Sequence, residues 1–167
     1  LGGQWGPLIG PDTYREFYKP YHKKMWQRAK ELANVKVQLH CCGGVYELLP
    51  DLIDAGLDAI NPVQISCAGM DARQLKSEFG DHITFWGGGC DTQKVLPDGT
   101  PDEVQQHVRE QVSILNKDGG FVFQQVHNIM ANVPRRPIRS RAPPKNSAKL
   151  ASMVIAPART GLLGICR

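Results

Sequence analysis

Four short apolar segments alternate with helix-patterned segments along this chain, and that alternation predicts an α/β fold on a parallel sheet. A second observation agrees with the first. Each apolar segment ends in polar or metal-binding residues, which is where parallel α/β folds carry their chemistry. Composition permits a packed domain of this length, since 41% of residues are hydrophobic and 22% charged.

A helical pattern opens at Pro11 and runs through Tyr14, Phe17, Tyr21, Met25 and Ala29 at steps of three and four. Pro20 lies inside it and predicts a kink or two consecutive helices. Residues 35–40 alternate Val35, Val37 and Leu39 with polar neighbours and read as a strand. Residues 45–55 read as a helix stopped by Gly56. Residues 57–63 form a short, nearly all-apolar strand. Residues 71–79 make a helix capped by Asp71 and stopped by Gly80, followed by a strand and glycine turn over 83–89. Thr100, Pro101 and Glu103 spell a capping box that opens the next helix, which Gly119-Gly120 ends. Residues 121–127 are the fourth strand. Four parallel strands joined by helices make either half a (β/α) barrel or a small doubly wound sheet.

Charge is unevenly distributed. Residues 134–167 hold six Arg, two Lys and no acid; they carry +8 of a chain whose net charge is +4, which leaves −4 on the rest. This basic tail has none of the interleaved aromatics that stack on bases, so it reads as a solvated, unstructured segment and not as a nucleic-acid arm. No apolar run approaches membrane-spanning length, and LGGQWGPLIG has no leader-like pattern. Five cysteines at 41, 42, 67, 90 and 166 argue against a disulfide framework and for a reducing, cytoplasmic setting. No GxGxxG or GxxxxGK[ST] follows a strand, so dinucleotide and P-loop chemistry are not indicated.

The strand ends carry His40-Cys41-Cys42, then Asn61-Pro62-Val63-Gln64, then Cys90-Asp91, then His127-Asn128. His40 and Cys42 are two apart, so an extended backbone projects them to one face, where they can share a zinc ion. A catalytic zinc takes three protein ligands and an open position. His127 and Cys90 are the candidates for the third. A buried thiol beside a hydrogen-bonded histidine is the plainer reading of such a pair. Asp91 reads as a base, as a group orienting a ligand, or as a cap. His22, His82 and His107 read as solvated, Cys67 as an incidental thiol, and Trp26 and Trp86 as packing residues.

Four stretches resemble the uroporphyrinogen decarboxylase superfamily in order and spacing. They are LGGQWGPLIGPDTYREFYKPYHKKM, LHCCGGVYELLPDLIDAGLDAINPVQ, GMDARQLKSEFGDHITFWGGGCDTQKVLPDGTPDEV and GGFVFQQVHNI, which together span nearly all of residues 1–133. The resemblance implies a partial (β/α)8 TIM barrel, about its C-terminal half, with residues 134–167 outside the family pattern. It implies one of two chemistries. One is methyl transfer between a corrinoid carried by a partner protein and a thiol or folate acceptor, with zinc held by an H-x-C pair and a later cysteine. The other is cofactor-free decarboxylation of uroporphyrinogen. His40 and Cys42 match the pair, whereas His127 stands where the methyltransferases place the later cysteine. The combination HCCGG, NPVQ, GGG-DTQ and VHNI lies nearer the methyltransferase branch. The site then comprises His127 and Asp91 as catalytic residues and Asn61, Gln64, Gln93 and Asn128 as contacts to a small-molecule substrate. A half barrel has open edges, so a third expectation is an inactive chain that needs a second copy or an N-terminal half.

Overall fold

The structure, a computed structural model, describes residues 1–133. The expectations for the tail, 134–167, lie outside the described residues. A two-residue hairpin comes first, β1 (Gly2–Gly3) against β2 (Gly6–Pro7). The helices α1 (Pro11–Phe17) and α2 (Lys19–Leu32) follow. The break expected from Pro20 is there, at Tyr18, and Pro20 sits in the first turn of α2 where a missing N–H costs nothing. The break also shifts the buried face. Tyr14 and Trp26 are buried, whereas Phe17, Tyr21 and Met25 are exposed, so the predicted apolar stripe is not the packed one.

Next come β3 (Gln38–His40), a single 3-10 turn (Tyr46–Leu48) running into α3 (Leu49–Asp54), and β4 (Ala59–Asn61). Then α4 (Ala72–Phe79), β5 (Thr84–Trp86), the short α5 (Val95–Asp98), α6 (Pro101–Leu115) and β6 (Phe121–Val122) complete the described chain. Each predicted strand exists, and each is shorter than its apolar run. Val35 lies before the pairing begins and is 43% exposed.

Both predicted caps form. The Asp71 carboxylate accepts the Gln74 N–H at 2.9 Å. At α6 the Thr100 hydroxyl accepts from the Glu103 N–H at 3.3 Å, and the Glu103 carboxylate accepts the Thr100 N–H at 2.7 Å. Gly56 terminates α3 in the left-handed region with φ +105°.

The main sheet has the order β3-β4-β5-β6, all parallel. This order decides between the two architectures. A doubly wound sheet reverses direction at a switch point, whereas here every crossover moves to the next strand on the same side, as in a barrel. The fold is therefore α/β, a partial (β/α)8 barrel. Leu39, Ile60, Phe85 and Phe121 lie in register across the sheet and face the helices. They pack with Leu48, Leu49, Leu52, Leu75 and Leu115 in one core. Because side chains alternate along a strand, the neighbouring row of His40, Asn61, Trp86 and Val122 faces the opposite side, the barrel interior.

Ion pairs tie the helices to that frame. Buried Asp51 of α3 takes Arg15 at 2.9 Å and Lys19 at 2.8 Å. Asp58, just before β4, accepts the Val37 N–H at 2.7 Å and pairs with Lys30 at 2.7 Å. Burial alone would raise the Asp58 carboxyl, but Lys30 and the Val37 N–H outweigh it and hold it below its ordinary value.

Candidate functional site

The carboxyl ends of β3 and β4 build one constellation. His40 ends β3 and Asn61 ends β4, paired in register. The His40 Nδ1 lies 2.8 Å from the Asn61 Oδ1. On the other side of the ring, the His40 Nε2 lies 3.5 Å from the Cys42 Sγ. Zn–N and Zn–S bonds of standard length at a tetrahedral angle place their donors about 3.6 Å apart. The pair therefore has the separation of two ligands on one zinc ion, and its donor set, imidazole and thiolate, suits that metal.

The loop that carries Cys42 is fixed by its glycines. Gly43 has φ +98°, and a Cβ there would strike the backbone of Gly2. The Gly44 N–H donates to the Gly3 carbonyl at 2.8 Å, so the β1–β2 hairpin lies against this loop. Gln64, buried after β4, accepts the Gly43 N–H at 2.8 Å.

The ends of β5 and β6 build a second cluster. Cys90 is buried, and burial followed by the Asp91 charge pushes its thiol up. Asp91 is also buried. Its Oδ1 accepts the N–H groups of Gln93 at 2.7 Å and Lys94 at 3.2 Å, and its own N–H donates to the His107 Nε2 at 3.1 Å. His127 is half-buried and Asn128 exposed beyond β6. Among the described residues, no group of three His, Cys, Asp or Glu side chains converges on one point. Neighbouring strands are spaced about 4.8 Å, so Cys90, which follows β5, starts roughly 10 Å across the sheet from β3, and His127, which follows β6, starts farther still.

The structure thus brings His40 and Cys42 together and leaves His127 and Cys90 apart from them. It also gives several expected residues protein partners. The Asn61 Nδ2 donates to the Trp86 carbonyl at 3.2 Å and to the Gln124 Oε1 at 2.9 Å, so the amide expected on a substrate is spent inside the protein. The Gln64 carbonyl likewise holds Gly43. Gln93 is exposed and reaches the Gln4 Oε1 at 3.4 Å. The Asp91 carboxylate holds the turn ahead of α5 and does not cap that helix, whose N-cap residue is Lys94. His22 and His107, expected in solvent, are half-buried. His22 stacks on Trp26 at 4.8 Å and lies 2.9 Å from the Tyr14 hydroxyl, and burial lowers its pKa. Cys67 is buried, and burial raises its thiol.

Gln4 and Gln124 were not singled out from the sequence. Gln4 ties the hairpin to the loop after β4: its Nε2 donates to the Ser66 carbonyl at 2.7 Å and its backbone carbonyl accepts the Ala68 N–H at 3.0 Å. Neither glutamine stands in a local pattern, because each acts on residues more than 60 positions away.

Fold and site together define a (β/α)-barrel protein with its reactive side chains on the strand ends. The family model described as uroporphyrinogen decarboxylase (URO-D) matches residues 2–140, and the chain belongs to that family. Two relatives come from Methanosarcina mazei. The methylated-thiol–coenzyme M methyltransferase is 31% identical over 106 residues, 62% of this chain and 25% of that protein. The methylcobamide:CoM methyltransferase MtbA is 32% identical over 98 residues, 59% of this chain and 27% of that protein. A solved methyltransferase from Methanosarcina mazei superposes with a TM-score of 0.55 at 22% identity, over 78% of this chain and 34% of that one, which supports the fold. The chain spans about a quarter of the length of the curated relatives it matches.

Proposed function

We propose that this chain carries part of a zinc-dependent methyl-transfer site, in which a methyl group passes from a corrinoid on a partner protein to a thiol acceptor. The observation that carries this reading is the 3.5 Å separation of the His40 Nε2 and the Cys42 Sγ on one strand end. The two methyltransferase relatives, both named for coenzyme M, support the choice of a thiol acceptor over a folate one.

His40 and Cys42 would hold the metal, with His127 or Cys90 as the third protein ligand once the barrel is closed. Bound zinc lowers the pKa of a coordinated thiol and so supplies a nucleophile at neutral pH. The chain's own residues do the positioning. Asn61 orients the His40 ring, Gln64 fixes the backbone of the loop that presents Cys42, and Gly43 lets that loop turn beneath the hairpin. The open strand ends are where a corrinoid-bearing partner would dock.

Elemental analysis of the purified chain tests the reading, with His40→Ala and Cys42→Ser alongside. About one zinc per chain, lost in both variants, is the expected result. A well-folded wild type that takes up no zinc would overturn it and turn attention to metal-free decarboxylation. With zinc in place, transfer of the methyl group of methylcobalamin to coenzyme M is the activity to assay.

A further inference from the structure

We infer that Asn61 is a positioning residue that fixes His40 as the Nδ1-protonated tautomer, and that Gln124 beyond β6 holds Asn61 in the orientation this requires. The argument begins with an acceptor that has no ambiguity. The Trp86 backbone carbonyl can only accept, and the amide atom of Asn61 that faces it at 3.2 Å must therefore be the NH2 group. The other amide atom, the carbonyl oxygen, is then the one 2.8 Å from the His40 Nδ1. An oxygen that only accepts demands a proton on Nδ1. In a neutral imidazole this leaves the lone pair on Nε2, the nitrogen that faces Cys42.

Asn61 is 6% exposed, so water does not compete for these bonds. Gln124 supplies a second acceptor for the same NH2 group at 2.9 Å. Turning the amide over would set NH2 against a protonated Nδ1 and the carbonyl oxygen against the Trp86 carbonyl. The lock thus runs across the whole sheet: His40 on β3, Asn61 on β4, Trp86 on β5 and Gln124 after β6.

The value of this lock for metal binding rests on the zinc reading above, but its existence does not, so the two can fail separately. The test is nitrogen-15 NMR of the histidine rings in the metal-free chain, where the two tautomers give distinct ring-nitrogen shifts. Wild type is expected to show His40 protonated at Nδ1. Asn61→Leu is expected to show a mixture. Gln124→Leu, a milder change at a half-buried position, is expected to lie between wild type and Asn61→Leu. Zinc titration of the same proteins should show affinity weakened roughly 10- to 100-fold in Asn61→Leu. A wild-type ring protonated at Nε2 overturns the inference without recourse to any variant, as does a folded Asn61→Leu with unchanged ring shifts. A wild type with the expected tautomer but no zinc uptake would sink the metal reading and leave the positioning role intact.

Discussion

The two halves of the strand-end rim are held by different means. At the ends of β3 and β4, side chains do the holding: Asn61 fixes the His40 ring, and Gln64 accepts the Gly43 backbone N–H in the loop beside Cys42. At the ends of β5 and β6, the backbone does most of the holding. The Val126 N–H donates to the Cys90 carbonyl, the Gly89 N–H to the Gln124 carbonyl, and the Asp91 carboxylate is occupied by the turn that follows it. The first half therefore presents an oriented pair of donors. The second presents a rigid loop with its thiol turned inward. On the proposed zinc reading, the donors on the first half stand ready, and those on the second would have to be brought to them.

The largest expected effect tests the glycine turns of the two halves. Gly43→Ala combines a left-handed φ with a collision against the Gly2 backbone, so it should cost more than about 3 kcal/mol or displace the hairpin. At Gly89 the φ is ordinary, and a Cβ would meet the half-exposed Phe123 ring and the Gln124 backbone oxygen at 2.9 Å, so Gly89→Ala should cost about 1–3 kcal/mol, less than Gly43→Ala. Urea unfolding of both variants measures the difference, and equal costs would break the comparison.

Next in size is thiol reactivity. Cys42 is half-exposed, whereas Cys90 and Cys67 are buried. Peptide mapping after limited alkylation at pH 8 should find Cys42 modified at least about tenfold faster than either. The pH dependence has a definite sign. The raised thiols of Cys90 and Cys67 bind protons more tightly in the folded state, so their reaction should accelerate only above the ordinary thiol range. Their contribution to stability is complete below that range and is lost as pH rises through the raised values. Cys90 reacting as fast as Cys42 would show that the second half opens readily.

Gln64→Leu comes next, because it strands the buried Gly43 N–H and should cost about 1–3 kcal/mol. The exposed Gln93→Ala, at the matching place in the second half, should change stability by less than about 0.5 kcal/mol. Thermal unfolding of the two variants side by side checks the order.

The caps, stops and breaks were legible in the sequence because each is a local device. Asp71, the Thr100–Glu103 box, Gly56 and Pro20 act within one turn of themselves. Strand lengths were overestimated because an apolar run records burial, whereas a strand also needs a partner, and only two or three residues of each run find one. The hairpin Gly2–Pro7 was missed because its two-residue strands carry no alternation, and α5 was missed because four residues are too few to show a period. At the site, the H-x-C spacing placed His40 and Cys42 correctly side by side. The roles of Asn61, Gln64 and His107 were not legible. A polar residue on a strand end looks the same in sequence whether it faces a ligand or a neighbouring side chain.

The hairpin's docking has a consequence for the order in which the molecule assembles. Its anchor points, Gly44, Ser66 and Ala68, lie some 40 to 60 residues downstream, and Gln93 lies 89 residues from Gln4. Closing the first such loop costs on the order of 3–4 kcal/mol in chain entropy, against a handful of hydrogen bonds and little buried apolar area. The strands, by contrast, join one after another along the chain. The hairpin is thus the piece that settles last and loosens first. The amide protons of Gly44 and Ala68, which rest on it, should exchange with solvent well before that of Cys41, which bonds to β4.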